Sequence, residues 1–415
     1  MAATGREFFT VKTVSEALVE FRPGHITPGE TVSLGAAYGR VPDGEIVARD
    51  PLPGFDRSSV DGYAVRAADT FGASESIPAY LRVVGAVRMG IAASVEVSPG
   101  TAVAIPTGGM LPPAADAVVM IEHTAEATAD TVEVVRPAAP GENVVRFDED
   151  VAAGAPIAPR GRPLRPQDVA LLAAAGTVEV SVHAAPRVTI LATGDEVVAP
   201  DTAALGPGQV RDALSVSIGA LVREAGGEPV PCPSASAGIV PDDDGALREA
   251  LTAAVAVSDV VVISAGSSVG MRDQTADAVA ALPNSETWCH GLAIKPGKPT
   301  LLAHSDGIPI IGLPGNPRSA LVVFRLIGMP LVRRAGGWTA EPLVGAVRAT
   351  LGRDLPSAAG RLDVVQVRLG EGVAQPIFGS SALLSVLTAA DGYLIVPEDA
   401  NGLSAGEPVE VFPYG

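Results

Sequence analysis

The sequence has little cysteine: Cys232 and Cys289 are the only 2 in 415 residues, they lie far apart, and neither belongs to a Cys-x-x-Cys pair. A disulfide framework or a thiolate metal centre is therefore not suggested. Histidine is scarce too, and His25, His123, His183, His290 and His304 have no partner at metal-ligand spacing. Aromatics make up 4% of the chain, so its 47% apolar content rests on Ala, Val and Leu, as in a globular interior. Basic residues number 29 against 47 acidic ones, and the net charge of -18 argues against nucleic acid or an anionic membrane surface as a default partner. An anionic ligand would have to find a locally basic pocket. Residues 1–14 lack an apolar signal-type stretch, and the longest apolar helix candidate, 320–332, is broken by Arg325 and Pro330. A soluble cytoplasmic protein is expected. Two nucleotide motifs are missing as well: Gly297-Lys298 is followed by Pro299 with no Gly at the Walker A distance upstream, and Gly266 and Gly270 are separated by Ser-Ser-Val rather than set in a Rossmann fingerprint.

What the chain does have is punctuation, with 46 Gly and 36 Pro dividing it into blocks of different rhythm. At 415 residues it exceeds what one core supports, so several domains of roughly 100 to 150 residues are expected. Val14, Ala17, Leu18 and Phe21 recur at helical spacing and predict a short amphipathic scaffold helix, capped by Thr13 or Ser15. A connector over 26–47 follows, and β-type runs over 80–87, 102–106, 117–121 and 131–135 predict a small β-rich domain. A short Ala/Leu-rich helix up to Ala175 closes at Gly176. From Arg187, buried-type strands over 188–192, 259–264 and 309–313 alternate with helices over 215–225, 242–257 and onward to Leu282. That rhythm implies a mostly parallel sheet with helices on both faces. Runs over 343–351, 363–369 and 408–412 predict a last β domain, with a short helix within 380–389. The fold class is α/β multidomain: a central α/β domain with a parallel sheet, a small β-rich domain, a helical or extended linker domain and a C-terminal β domain.

The chemistry concentrates in loops. Asp56, Arg57, Ser58, Ser59 and Asp61 crowd a loop that enters a strand at Tyr63, more polarity than a connector needs, although Asp61-Gly62 alone is also an ordinary turn. Thr107 offers a free hydroxyl on the tight turn 106–109, and Asp148, Glu149 and Asp150 sit beside Arg146 in a run for which a solvated acidic loop is the more common explanation. Asp242, Asp243 and Asp244 lie over a helix start, where carboxylates favour the dipole. Lys295 and Lys298, separated by Pro296 and Gly297, lie on a stiff loop that holds two ammonium groups in fixed relation, which suits an oxyanion. Asn316 and Pro317 read as cap and first turn of a helix running through Ser319 to Met329, whose free amides also suit an anion.

In open α/β sheets ligands bind outside the carboxyl ends of the strands, and the segments 193–196, 265–273 and 314–319 each follow a strand. One rim would then collect Lys295, Lys298, Ser264, Ser267 and Ser268 with Asp195, Glu196 and Asp273. Cations and amides suit phosphate, while carboxylates would repel it unless a hard cation such as Mg²⁺ lies between them. A magnesium-dependent nucleotide or phosphoanhydride site is the residue-level reading. A plainer one has Asp195 and Glu196 capping a helix and the lysines solvating a loop. A third is literal: Gly266-Ser267-Ser268-Val269-Gly270 matches a hydrolase nucleophile elbow with Ser268 as nucleophile and His290 and His304 downstream, but it leaves the lysines and acids unexplained.

In combination, Phe55-Asp-Arg-Ser-Ser-Val-Asp-Gly-Tyr-Ala-Val65, Thr193-Gly-Asp-Glu196, the 264–273 loop, Lys295-Pro-Gly-Lys298 and Leu313-Pro-Gly-Asn-Pro317 resemble the molybdopterin molybdenumtransferase family, whose fold the gephyrin E domain shares. The resemblance covers nearly the whole chain. It implies four structural domains, set on the pattern above as 1–50 with 149–186 (elongated linker and dimerisation), 51–148 (β-rich), 187–335 (molybdopterin-binding α/β) and 336–415 (C-terminal β). It also implies an elongated homodimer whose cleft takes loops from both subunits, and a reaction in which adenylylated molybdopterin and molybdate give molybdenum cofactor and AMP with a divalent cation, here Mg²⁺. Carried over by motif, Asp61, Asp150, Glu196, Asp242 and Asp273 become candidate catalytic residues. Thr107, Ser267, Ser268, Lys295, Lys298, Pro314, Asn316 and Ser319 become candidate substrate contacts, and Glu196, Asp242, Asp243 and Asp273 candidate metal ligands. The lysines would hold molybdate or phosphate, the acids Mg²⁺ or a water, and Asp61, Thr107 and Asp150 would reach across from the partner subunit. The chain departs from the family at Val145, where an Arg is common, at Asp148 for Gly, Ala265 for Gly, Ser267 for Val and Leu214 for Asn. A non-catalytic dimeric scaffold of the gephyrin type and a tungstate-inserting enzyme are the alternatives.

Overall fold

The computed structural model describes residues 10–264, 269–342 and 345–414, with backbone alone for 269–273. Its centre follows from strands that are apolar on both faces. Every residue of Val260–Ser264 is buried, and successive side chains go opposite ways. Val260 and Val262 join Val188, Leu302, Ile311 and Leu313 in one core, while Val261 and Ile263 join Leu191, Leu301, Ala303 and Ile310 in another. Such strands need cover on both sides. Leu214–Glu224 and Pro317–Val323 bury Ile218, Val222, Ala320 and Val323 against the first face, and Asp244–Val257 and Val269–Ala280 bury Leu247, Leu251 and Val279 against the second.

The sheet runs Glu228–Val230, Arg187–Thr193, Val260–Ser264, Ile308–Leu313, Leu301–Ser305, Ser285–His290, with Ile239–Val240 beside the end of Arg187–Thr193. The pairings from Glu228–Val230 to Ile308–Leu313 are parallel, as the strand-helix rhythm predicts, and the last two are antiparallel. The antiparallel edge has a local cause: Asp306 and Gly307, at φ 51° and 79°, join Leu301–Ser305 to Ile308–Leu313, the left-handed pair that a tight hairpin uses.

Thr13 caps the helix Val14–Glu20 in a reciprocal box with Glu16. The apolar stripe Val14, Ala17 and Phe21 is buried with Phe324 and Ile327 in the central core, although the sequence reading groups residues 1–50 with the linker. The linker is made of two passes of the chain. Gly29–Ser33 pairs with Glu179–His183 and Ile46–Val47 with Pro156–Ala158, over a core of Ala37, Leu164, Leu172, Val180 and Val182. Between the passes lies a six-stranded sheet, in the order Ala117–Met120, Gly62–Val65, Thr101–Ile105, Ala79–Ala86, Thr131–Val134, Thr124–Thr128.

The C-terminal strands Leu362–Gly370, Val373–Pro376, Val347–Leu351, Pro408–Pro413 and Gly392–Val396 pair in that order, and the last pairs with the first. Closure removes the exposed edges that a small β sheet otherwise presents. One further strand joins it from the central unit: Ile294–Lys295 pairs in parallel with Leu362–Gly370. The helix after Ile308–Leu313 runs Pro317–Val323, widens to a π turn over Phe324–Gly328 and continues as Met329–Ala335. The widened turn precedes Pro330, which lacks an amide hydrogen, so the proline does not end the helix as its position suggests. Among the described residues no helix is long and apolar enough to cross a membrane.

One buried charge fixes the linker. Asp168 accepts from Arg162 Nη1 and Nη2 at 2.6 and 2.9 Å and from the Arg165 amide at 2.8 Å, and these guanidinium and amide donors hold its carboxyl far below the usual range. A depressed pKa contributes stability above the unfolded value near 3.9 and loses it as pH falls toward the folded value. Discounting for the exposed Arg165, Asp168→Asn should lower the unfolding free energy at pH 7 by about 1 to 2 kcal/mol. In urea denaturation its gap to wild type should narrow below about pH 4.

Candidate functional site

The parallel register sets Ala192, Ser264 and Leu313 in one row, so the loops that follow these strands leave the same edge of the sheet. Ile239–Val240 ends beside Thr193 and adds a fourth exit, leading to Asp242. Ser267 and Ser268, and with them the nucleophile-elbow motif, lie outside the described residues, as does the side chain of Asp273. His304, proposed downstream of that motif, bonds through Nε2 to the Arg22 carbonyl at 2.7 Å and packs on Phe21.

Carboxylates from two of these exits meet. The Asp242 amide donates to Asp195 Oδ1 at 3.1 Å. A short strand, Val197–Val198, follows Glu196, so Asp195 and Glu196 cap no helix. Asp243 does cap one: it accepts from the Ala246 amide at 2.8 Å, which engages an oxygen of this candidate ligand in holding Asp244–Val257. Partial burial of its carboxyl and the charges of Asp195 and Glu196 raise the pKa of Asp242. Because Asp242 lies at the surface, the neighbouring charges are the part of this shift that a bound cation would reverse. Among the described residues no three His, Cys, Asp or Glu side chains gather as a metal cage. One or two carboxylates completed by substrate oxygens and water are the usual surroundings of Mg²⁺, and the donor set fits that ion. Glu196 lines a pocket of about 310 Å³ with Thr193, Arg211, Asp212, Ser264 and Gly315.

On the other side of the 314–319 turn lies a cleft of about 490 Å³ lined by Lys295, Lys298, Asn316, Arg318, Ser319 and Arg361, with Pro314 in its wall. Gly297 sets the lysine spacing: it is buried at φ 126°, and a Cβ there would meet Val323 Cγ2 at 2.4 Å, so the loop packs directly on the helix. Thr300 Oγ1 donates to the Gly297 carbonyl at 2.7 Å and closes the loop. Ser319 is buried at the helix start. Asn316 occupies the cap position as the sequence predicts, but its side chain makes no capping bond.

Lys295 Nζ lies 3.4 Å from Asp363 Oδ2, and Arg361 Nε donates to Asp363 Oδ1 at 3.0 Å. Asp363 is buried and directly paired with Lys295 across the strands. Sequence reading missed Arg361 and Asp363. Their separation from the lysine loop hides them, and the signal available was the Arg-x-Asp spacing alone.

Asp61 and Thr107 also come together: the Thr107 amide donates to Asp61 Oδ1 at 2.7 Å. Gly62 is needed where it stands because a Cβ would lie 1.9 Å from the Val119 carbonyl oxygen; Asp61-Gly62 opens a central strand. Arg146 and the Phe147 amide donate to Asp56 at 2.8 and 2.7 Å, and the Asp150 amide donates to the Leu52 carbonyl at 2.9 Å. Asp61, Thr107 and Asp150 line neither the carboxylate pocket nor the lysine cleft of their own chain.

Residues 11–176 match the MoeA N-terminal region (domain I and II), 189–334 a probable molybdopterin binding domain, and 348–414 the MoeA C-terminal region (domain IV). The chain is 36% identical over 391 residues to molybdopterin molybdenumtransferase 2 of Mycobacterium tuberculosis, covering 92% of this chain and 94% of that protein. The chain belongs to the MoeA family. It is also 32% identical over 397 residues to the molybdopterin molybdenumtransferase of Haemophilus influenzae, covering 94% of each. The crystal structure of the molybdopterin biosynthesis MoeA protein from Pyrococcus horikoshii superposes with a TM-score of 0.84 at 33% identity, covering 98% of this chain and 100% of that one.

Gly297→Ala should destabilise the protein by about 1 to 3 kcal/mol through strain at positive φ and the clash with Val323. Chemical denaturation measures that loss; stability equal to wild type would show that the lysine loop does not depend on this contact.

Proposed function

We propose that this chain inserts molybdenum into molybdopterin, taking adenylylated molybdopterin and molybdate to molybdenum cofactor and AMP. Family membership makes it a transferase of molybdenum cofactor biosynthesis. The observation that carries the finer reading is adjacency: a cation-lined cleft and a carboxylate pocket share the 314–319 turn on the ligand-binding rim of a parallel sheet. In this reading Lys295 and Lys298 hold molybdate or phosphate oxygens, and Ser319, Asn316 and Pro314 shape the wall. Glu196 and Asp242, with Asp273, hold Mg²⁺ or orient a water at the phosphoanhydride. When bound, Mg²⁺ would polarise the phosphoryl oxygens. Asp61, Thr107 and Asp150 complete the cleft of a partner in a cytoplasmic homodimer, which suits a group that lines neither pocket of its own chain. A non-catalytic scaffold would need neither the lysines nor the acids. Tungstate presents the same tetrahedral dianion and is the second substrate to assay.

The test is AMP release from adenylylated molybdopterin on addition of molybdate or tungstate with Mg²⁺. Lys298→Ala and Asp242→Asn should each lower the rate by about 100-fold or more, with little change in melting temperature. Because protonated Asp242 cannot hold a cation, Mg²⁺-dependent release should fall as pH drops through its raised pKa, a limb that Asp242→Asn should lack. Ser268→Ala, which removes one candidate substrate contact, should lower the rate by no more than about tenfold. Undiminished release in Lys298→Ala and Asp242→Asn would sink the reading, and release that needs neither molybdate nor tungstate and is abolished in Ser268→Ala would favour the hydrolase elbow.

A further inference from the structure

We propose that Arg318 is an anion-binding residue of the lysine cleft, a third cation that grips the tetrahedral dianion beside Lys295 and Lys298. The proposal rests on the reading of that cleft as an oxyanion site. Arg318 stands in the first turn of Pro317–Val323, next to Ser319, and lines the cleft. Its amide donates to the Ser381 carbonyl at 3.1 Å, which ties the turn to the segment after the barrel strand Val373–Pro376. The lysine loop lies against the same turn, since a Cβ on Gly297 would be 3.8 Å from the Ser319 carbonyl oxygen.

The side chain is half-buried, its Nε is sealed from solvent without a hydrogen-bond partner, and among the described residues no carboxylate pairs with it. Four neighbouring cations differ in having a carboxylate partner, whereas Lys298, like Arg318, has none among the described residues. Farther along the same helical run Arg325 pairs with Glu224 and Arg333 with Glu341, and across the cleft Lys295 and Arg361 share Asp363. Burial pushes the Arg318 pKa down, yet a guanidinium stays charged at neutral pH. An unpaired, partly desolvated charge costs stability, and a negative partner offsets that cost. The cleft beside it supplies the place for one. A planar guanidinium presents two donors to two oxygens of one anion, a geometry that point-charge lysines lack, so Arg318 would act on tetrahedral oxyanions as a class.

Calorimetric titration of the full chain with molybdate and with tungstate tests this, using Arg318→Met, Arg318→Lys and Lys298→Ala. Arg318→Met should weaken both anions by about tenfold or more, and Arg318→Lys should recover part of the loss. Without anion, Arg318→Met should melt at or above the wild-type temperature, because an uncompensated charge has been removed. If Arg318→Met binds like wild type while Lys298→Ala does not, the cleft is an oxyanion site and Arg318 has no part in it. If both bind like wild type, the reading of the cleft itself fails. Should Arg318→Met not fold, Arg318→Lys decides: affinity equal to wild type overturns a bidentate role.

Discussion

The backbone ladder that pairs Arg187–Thr193, Val260–Ser264 and Ile308–Leu313 in parallel is the constraint on which the rest depends. Parallel strands must be reached by crossovers, and crossovers place all the loops after the strands on one edge. Residues separated by more than a hundred positions in sequence, such as Glu196 and Ser319, are brought to one rim by that geometry. The apolar alternation that buries both faces of the sheet leaves no freedom of register, since a slip of one residue would exchange the two cores.

Charge works at two ranges. The chain as a whole carries -18, a field that opposes approach of a dianion. At physiological ionic strength that field is screened over roughly 8 Å, so the nearest cations decide what happens inside a cleft. Lys295, Lys298, Arg318 and Arg361 are gathered in one such volume, and the buried carboxylate close to them is already shared by two of the four. The acidic group across the 314–319 turn has the opposite character: there partial burial and, after it, the like charges of Asp195 and Glu196 raise the pKa of Asp242.

Much of this was legible from residue order. The helix behind Thr13, the strands and helices from Arg187 onward, and the β runs of the second and last blocks are local patterns, and the structure has them within a few residues. The gathering of Lys295, Lys298, Pro314, Asn316 and Ser319 was also readable, because strand-end position is a property of topology. What could not be read were pairings between distant segments. Closure of the barrel, the parallel strand that carries Lys295, and its partner Asp363 have no local signature. Asp148 shows the reverse: it sits at φ 57°, a left-handed conformation that favours glycine, where the family resemblance implies a glycine and this chain holds an aspartate.

The short strand Ile294–Lys295 has one further consequence. Its backbone pairs with the barrel wall while Ile294 stays buried in the central core, which Val364 of the barrel also joins, so the ammonium group of the cleft sits on a seam held from both sides. The spacing of Lys295 from Ser319 is thereby set by a shared core and a strand pair rather than left to a hinge.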